Sequence, residues 1–423
     1  MKNPLRTTQK NLLHPDKEGL LYAFRGGFGL EKESLRIMKE DGTISKRDHP
    51  FGNHPLFSRD FAESQLEIIT PVTGSAAELH AVILEMTDEA LQRLDALGET
   101  LHPSSNPPAY DPDGIRIAHF TGPDSGKEEY RRYLLANYGL SRMLLSGIHF
   151  NYSYDDSYPH FLGTTPDKLY LKAAVWAYRY SWLIVYLTGA SPETRRDGAK
   201  PRYASVRCGE EGYWNSFLPV LDFSDVSAYY ESIDRYVRDG SLYSASELYL
   251  PVRLKARPDS ASESHAGRID HIELRMLDLN PFEKAGIALK DLEFLHLFLI
   301  WCSLLPDHLP DSMEQEDAIY NMKQAALFDD SRVFIREGAE EVPIREAALS
   351  VLTEIEDVFK ALGRSDVLPV TAFQLEKLLS DGGRYAHKVY TSVDLSADLS
   401  DNTNEANTET KGEIVCRSAR ELL

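Results

Sequence analysis

Three long segments of the chain repeat apolar residues at the spacing of an α-helix. In "GSAAELHAVILEMTDEALQRLDALGE", Ser75 and Glu78 form a capping-box pattern and Gly98 supplies a stop. In "TTPDKLYLKAAVWAYRYSWLIVYL", Thr165 is the expected N-cap and Pro166 takes the first helical position. The third segment, "PIREAALSVLTEIEDVFKAL", carries one continuous apolar stripe. We therefore predict three amphipathic helices that pack against other elements.

Between these helices, four short runs alternate apolar and polar residues with the period of a β-strand: "FGLEKESLRI", "RDFAESQLEI", "GIHFNYSY" and "IDHIELRM". In the first run, Glu31 and Glu33 share a face with Leu35 and Ile37. These carboxylates therefore stand on what reads as the more apolar face. We expect them to point into a cleft where positive charge offsets their own.

The polar faces of the four runs carry Glu, His, Asn and Arg, where a merely wet surface would carry Lys, Thr and Ser. Taken singly, each run is better explained by an antiparallel sheet with one solvated face. Taken together, six residues would make a site for a hard cation: Glu31, Glu33, Asp60, Glu67, His149 and Glu273. Two carboxylates about 4 Å apart repel by roughly 4 kcal/mol at an effective dielectric of about 20. Several together favour Mg²⁺ or Mn²⁺, which commonly bridge to nucleotide phosphates.

The overall charge limits the classes of partner. The 423-residue chain has 46 Lys and Arg against 66 Asp and Glu, a formal charge of −20. This charge repels nucleic acid and anionic membranes, so we expect small-molecule substrates, no nucleic acid and no membrane. A phosphate-bearing substrate would then need local cations or metal ions.

Cysteine content and composition predict the compartment and the domain organisation. The three cysteines, Cys208, Cys302 and Cys416, suggest neither a disulfide framework nor a zinc site and fit a reducing cytoplasm. The N-terminus has no apolar signal core, and the apolar runs are too short to span a bilayer. We predict one catalytic domain over residues 1–394 and a polar, flexible tail over residues 395–423.

Six motifs between about residues 26 and 305 occur in a fixed order: "GLEKESLR", "DFAESQLEIITP", "SGIHFNYS", "YLTGASP", "ELYLPVR" and "IELRMLDLNPF". In this order they resemble the bacterial glutamate-cysteine ligases, the enzymes of the first step of glutathione synthesis. The resemblance implies an α+β fold like that of glutamine synthetase. In that fold a curved, mainly antiparallel sheet forms an open funnel with helices behind it.

The resemblance also implies a reaction and a set of site residues. ATP would phosphorylate the γ-carboxylate of glutamate, and the amine of cysteine would attack the acyl phosphate. The six acidic and histidine positions named above would hold magnesium ions. Arg275 and Arg207 would clamp the glutamate carboxylate or the transferring phosphoryl group, and Arg253 and Lys255 would meet ATP phosphates. For Arg275, an ordinary ion pair with Glu273 is the alternative.

Aromatic residues match the acceptor pocket of that family. Phe61, Tyr130, Tyr213 and Tyr249 lie at positions that line it, and Asn151 is assigned to substrate binding from its polar strand face. The chain has 22 tyrosines, so a core role stays open for each tyrosine, as it does for His149. Cys208 lacks a legible His-Asp arrangement, which argues against a covalent role.

The chain departs from the family pattern in two respects. Met143 stands where proteobacterial members carry a glutamine just before the Ser-Gly-x-His motif, so another small amine remains open as acceptor. The motifs end near residue 305, and we expect no room for the second ligase domain of bifunctional glutathione synthetases. A non-catalytic metal- or nucleotide-binding modifier and a guanidino kinase are the rival functions.

Overall fold

The computed structural model describes residues 17–120, 125–193, 199–257, 269–380 and 382–392. The helices are α1 Lys17–Ala23, α2 Ala76–Asp95, α3 Lys127–Tyr138, α4 Leu140–Met143, α5 Tyr158–Phe161, α6 Pro166–Arg179, α7 Ser181–Thr188, α8 Val226–Arg238, α9 Leu289–Leu304, α10 Ser312–Ala325, α11 Ile344–Ala361 and α12 Leu368–Leu379. The strands are β1 Gly26–Met38, β2 Phe57–Arg59, β3 Gln65–Ile69, β4 Glu99–Leu101, β5 Ile148–Tyr154, β6 Val252–Ala256, β7 Ile269–Leu277, β8 Phe334–Glu337 and β9 Glu340–Pro343.

Seven of these strands form one open antiparallel sheet. Its order is β2–β3–β1–β5–β7–β6, and β4 pairs with the C-terminal end of β1. All the neighbouring pairs are antiparallel. Strands β8 and β9 form a separate hairpin. The predicted α+β class with a mainly antiparallel sheet is confirmed.

One face of this sheet packs against the helices and forms the main core. Phe28 and Leu30 of β1 lie in that core with Phe150 of β5 and Leu274 of β7. Helices α2, α6, α7 and α9 supply the other side of the interface. Burying large apolar side chains in this way stabilises the fold by about 1.5–3 kcal/mol per residue.

The face of β1 that carries Glu31 borders a cavity and not the main core, although Leu35 and Ile37 make it the more apolar face in the sequence. The core face also holds two buried cations, which made it look polar in the sequence. Lys32 donates to Thr87 Oγ1 at 3.2 Å, and Arg36 pairs with buried Glu99 at 2.6 Å. Both side chains are held by partners remote in sequence, so the alternation pattern alone did not show which face packs against the helices.

A second, smaller apolar cluster lies over the other face of the sheet. It joins Leu35 of β1 to Phe61, Leu134 and Met143, with tyrosines packed around them. This cluster covers part of the Glu31 face and leaves a cavity beside it. The sheet is thus sandwiched between a thick helical layer and a thin aromatic one.

The predicted helices are present with small differences. Ser75 accepts from the backbone N–H of Glu78, whereas the Glu78 carboxylate bonds to Gly74 N and not to the cap residue. The second predicted helix is divided at Tyr180, where the backbone leaves helical geometry. This segment is buried on all sides, so its apolar pattern gave no sign of the break. Within the described residues, no helix is both long and apolar enough to cross a membrane. The predicted tail, residues 395–423, lies outside the described residues.

Candidate active site

A cavity of about 250 Å³ lies on the Glu31 face of the sheet, beside the aromatic cluster. Fourteen of the fifteen predicted site residues line it: Glu31, Glu33, Asp60, Phe61, Glu67, Tyr130, His149, Arg207, Tyr213, Tyr249, Arg253, Lys255, Glu273 and Arg275. The remaining one is Asn151, whose Nδ2 donates to Glu31 Oε1 at 3.1 Å. It therefore orients a carboxylate of the cavity from just outside it.

Strand register explains why residues so far apart in sequence meet here. Glu31 pairs with His149 across β1 and β5, and Glu33 pairs with Glu67 across β1 and β3. Glu273 lies on β7, beside β5 on one side and β6 on the other. Because residues two apart on a strand share a face, each strand adds its polar residues to one surface.

Three of the predicted ligands form a compact group, which we call the Glu31 group: Glu31, His149 and Glu273. Their ligand atoms all lie within 4.8 Å of one another. His149 Nδ1 is 3.1 Å from Glu31 Oε2 and 3.7 Å from Glu273 Oε1. Burial and the nearby Arg275 charge lower the pKa of His149, which favours the neutral imidazole that binds metal.

Protein cations surround the carboxylate of Glu273. Its oxygens lie 3.0 Å from Arg275 Nη1, 3.4 Å from Lys255 Nζ and 3.9 Å from Arg253 Nε. Burial by itself would raise the pKa of Glu273, but the cations, Arg275 foremost, hold it well below its usual range. Glu273 is therefore ionised. The ion pair with Glu273, which the sequence analysis gave as the alternative for Arg275, is present and faces the cavity.

The other three predicted ligands, which we call the Glu33 group, are Glu33, Asp60 and Glu67. Burial and the charge of Asp60 raise the pKa of Glu33 to about 8. The same two causes raise the pKa of Glu67 well above its ordinary value. Glu33 Oε2 accepts from the backbone N–H of Gly147 at 2.9 Å. The charges of this group are only partly offset by protein cations, so a bound divalent cation fits it.

Arg207 forms hydrogen bonds with the strands beneath the cavity. Its Nη1 donates to the carbonyl oxygens of Arg275 at 2.6 Å and Leu277 at 3.2 Å, and its Nη2 lies 3.4 Å from His149 Nε2. A Cβ at Gly147 would come within 2.3 Å of the guanidinium carbon, so only glycine leaves it room. These contacts hold β7 and His149. The role of Arg207 as a substrate clamp stays a prediction.

The opposite wall of the cavity is aromatic. The rings of Tyr213 and Tyr249 lie 5.4 Å apart, and Phe61 and Tyr130 continue the surface. Met143 is fully buried in the same wall. The cavity thus has a charged floor and an apolar side, which suits a substrate with one highly charged end.

Arg131 also lines the cavity. Arg131, which the sequence analysis missed, lies on α3 next to Tyr130 and donates to the carbonyl oxygens of Asp60 and, at 3.3 Å, of Arg59. No strand alternation marks a helical position, so only its neighbour could have pointed to it.

Cys208 Sγ donates to Met276 O at 3.3 Å, and burial raises the pKa of its thiol to about 12. This thiol is unsuited to act as a nucleophile.

Comparison with known proteins agrees with this geometry. The glutamate-cysteine ligase family profile matches residues 11–243 and 218–325. The glutathione biosynthesis bifunctional protein GshAB of Listeria monocytogenes serovar 1/2a is 33% identical over 421 residues, covering 91% of this chain and 54% of that protein. GshAB of Pasteurella multocida is 36% identical over 335 residues, covering 73% and 43%. The chain spans about half the length of the curated relatives it matches.

Solved structures extend the similarity beyond residue 305, where the motifs ended. The crystal structure of a bifunctional glutathione synthetase from Pasteurella multocida matches with a TM-score of 0.77 and 28% identity, over 96% of this chain and 54% of that one. A glutamate–cysteine ligase from Francisella tularensis in complex with AMP matches with a TM-score of 0.80, over 94% and 89% of the two chains. At 21% identity, this second match bears on the fold alone. Family profile, relatives and fold agree: the chain belongs to the glutamate-cysteine ligase family.

Proposed function

We propose that this chain joins the γ-carboxylate of L-glutamate to the amine of L-cysteine with consumption of ATP, as in the first step of glutathione synthesis, in the cytoplasm. A γ-carboxylate oxygen attacks the γ-phosphorus of ATP and ADP leaves. The amine nitrogen then attacks the acyl carbon and phosphate leaves. The observation that carries the proposal is the meeting of acids, cations and aromatic residues in one cavity of a family member.

The acidic residues are the ones we assign to metal. Glu31, His149 and Glu273 would hold one magnesium ion, and Glu33, Asp60 and Glu67 would hold more, with manganese as an alternative. The raised pKa values of Glu33 and Glu67 support this assignment, because these acids need added positive charge to ionise readily. When bound, the ions would screen phosphate charge and stabilise the phosphoryl group in transfer.

The cations are the ones we assign to phosphate. Arg253, Lys255 and Arg275 surround a single carboxylate, which leaves positive charge for an incoming polyphosphate. Fixed cations of this kind act where charge develops on the phosphoryl oxygens. The donor in this proposal is ATP, whose polyphosphate would meet these three cations.

The aromatic wall is the surface we assign to the amine acceptor. Phe61, Tyr130, Tyr213 and Tyr249 would contact the acceptor. Cysteine is the acceptor that the family name indicates. Met143, which stands where proteobacterial members carry a glutamine, is buried in this wall. For this reason another small amine is the second candidate for the acceptor.

An acceptor screen tests the proposal. ADP release is followed with ATP, magnesium and glutamate while a panel of amino acids and small amines is supplied at equal concentration. We expect the fastest release with cysteine, and γ-glutamylcysteine as the product by mass. The Glu33→Gln variant gives the background rate.

Each rival function predicts a different result. A higher rate with another amine would replace cysteine as the acceptor. If ATP releases ADP when a guanidino compound is supplied without glutamate, a guanidino kinase is favoured. If no ADP is released under any of these conditions, a non-catalytic modifier is favoured.

A further inference from the structure

A buried carboxylate stands behind the aromatic wall, outside the cavity. Glu247 ends the short 3₁₀ helix Ala245–Glu247, and only 1% of its surface is exposed. Its Oε1 accepts from Tyr138 Oη at 2.6 Å and from Tyr133 Oη at 3.2 Å. Its Oε2 accepts from the backbone N–H of Tyr243. One carboxylate thus joins helix α3 to the segment that carries Tyr249.

The partners of Glu247 are unusual for a buried acid. Within the described part of the chain, no Lys, Arg or His nitrogen lies within ion-pair distance of its carboxylate. Hydroxyl and backbone N–H groups alone satisfy it, and burying a carboxylate without a counter-charge is costly. A neutral residue would fill this space at lower cost, which indicates a role beyond packing.

Asn215 extends this network to the cavity. Its Nδ2 donates to Glu247 O at 2.8 Å and lies 3.2 Å from Tyr138 Oη, while its Oδ1 accepts from Tyr249 N at 2.9 Å. The Tyr138 ring packs edge-on against Tyr249 with centroids 5.2 Å apart. Glu247 is therefore two contacts away from a residue that lines the cavity.

Three tyrosine hydroxyls in and behind the wall donate to protein oxygen atoms. Tyr213 Oη donates to Leu145 O at 3.3 Å. The hydroxyls of Tyr133 and Tyr138 donate to Glu247 Oε1. Because these hydroxyls already donate to protein oxygen atoms, the wall presents mainly ring carbons to the cavity and offers a substrate hydroxyl few free donors.

We propose that Glu247 is a positioning residue that fixes this wall and thereby favours acceptors with a thiol over those with a hydroxyl. The inference rests on the proposed ligase function. A thiol loses little when it is buried against aromatic rings, because it hydrogen-bonds weakly. A hydroxyl that gives up water without a new partner is disfavoured, by roughly ten- to a hundredfold in affinity. Cysteine should therefore be preferred over serine.

The test separates positioning from general stability. Glu247→Gln and Tyr138→Phe are assayed for kcat and KM with cysteine, serine, glutamate and ATP, and Glu85→Gln on the exposed face of α2 is the matched control. We expect the KM for cysteine to rise by about tenfold and the ratio of kcat/KM for cysteine over serine to fall, with the KM for glutamate unchanged. Tyr138→Phe should shift the same quantities less, and the control should shift none.

Several outcomes would overturn the inference. In folded variants, an unchanged cysteine-to-serine ratio would do so, as would an equal rise in the KM for glutamate. If Glu247→Gln does not fold, the ratio in Tyr138→Phe decides. If the wild-type chain ligates a different amine, the acceptor in the proposed function is wrong, and a KM rise for that amine in both variants still supports positioning. If it ligates no amine, both proposals fail.

Discussion

The two acidic groups of the cavity lie on one face of one sheet but differ in their charge balance. In the Glu31 group, Arg275, Lys255 and Arg253 hold the pKa of Glu273 well below its usual range. In the Glu33 group, burial and mutual repulsion raise the pKa of Glu33 to about 8 and that of Glu67 well above normal. Protein cations offset the charge of Glu273 in the first group, whereas they offset the charges of the second group only in part.

The order of the strands produces this difference. Strands β6 and β7, at one end of the sheet, carry the three cations, whereas β1 and β3 carry Glu33 and Glu67. The guanidinium of Arg131 lies near Asp60 and Glu67 but gives its hydrogen bonds to backbone carbonyl oxygens. The cavity is thus positive toward one end and negative toward the other. Such a surface suits a polyphosphate and its metal ions bound side by side.

The largest effect that we expect concerns turnover. Glu33→Gln and Glu31→Gln keep shape and hydrogen bonding but remove a charge that a metal ion needs. Each should lower kcat by about a hundredfold or more, because each ~1.4 kcal/mol of lost stabilisation is tenfold in rate. Initial rates across a magnesium titration measure this. Near-normal rates in both variants at limiting magnesium would contradict the assignment of these residues to metal.

A smaller effect concerns the free energy of unfolding without metal. We expect it to have opposite signs in the Glu31 group and the Glu33 group. Glu273→Gln leaves three partly buried cations around a neutral side chain, so the free energy of unfolding should fall by about 3–5 kcal/mol. Glu67→Gln removes an acid that burial and Asp60 make costly to ionise, so the free energy of unfolding should hold or rise. Denaturant titration of both variants in a chelator measures the pair. A loss of similar size in both would show that the groups do not differ in charge balance.

The smallest effect concerns pH. A carboxyl whose pKa is higher in the folded state binds more protons there, so its contribution to stability falls as pH rises between the two pKa values. For Glu33 this window runs from about 4.5 to about 8. Across it, the metal-free free energy of unfolding should decline less steeply with pH in Glu33→Gln than in the wild type. Glu273 acts the other way, since its low pKa makes stability fall only when pH drops below about 4.5.

Unfolding curves between about pH 5 and about pH 8 check this prediction, with Glu85→Gln as the control. Saturating magnesium should stabilise the wild type more at the upper end of the range, because binding displaces the Glu33 proton. Equal pH slopes in wild type and Glu33→Gln would mean that Glu33 is ionised in the folded protein throughout the range.

Much of the site could be predicted from sequence because it is built on strands. Alternation along "GIHFNYSY" and "IDHIELRM" placed His149 and Glu273 on the polar faces of their strands, and both line the cavity. Arg131, on a helix, and Glu247, in a 3₁₀ helix, were missed, since neither follows a period that marks a site. The interruption at Tyr180 was missed for a related reason: a segment buried all around has no polar face to show where it breaks.

The sequence by itself determined the strands, their polar faces, the family and the residue types that gather in the cavity. These follow from local geometry, because alternate side chains of a strand always share a face. The tertiary structure alone decided that the Glu31 face lies away from the main core, that Arg36 pairs with Glu99, and which acids meet cations. Charge interactions and burial depend on distances between residues that are tens to hundreds of positions apart, and strand order sets those distances.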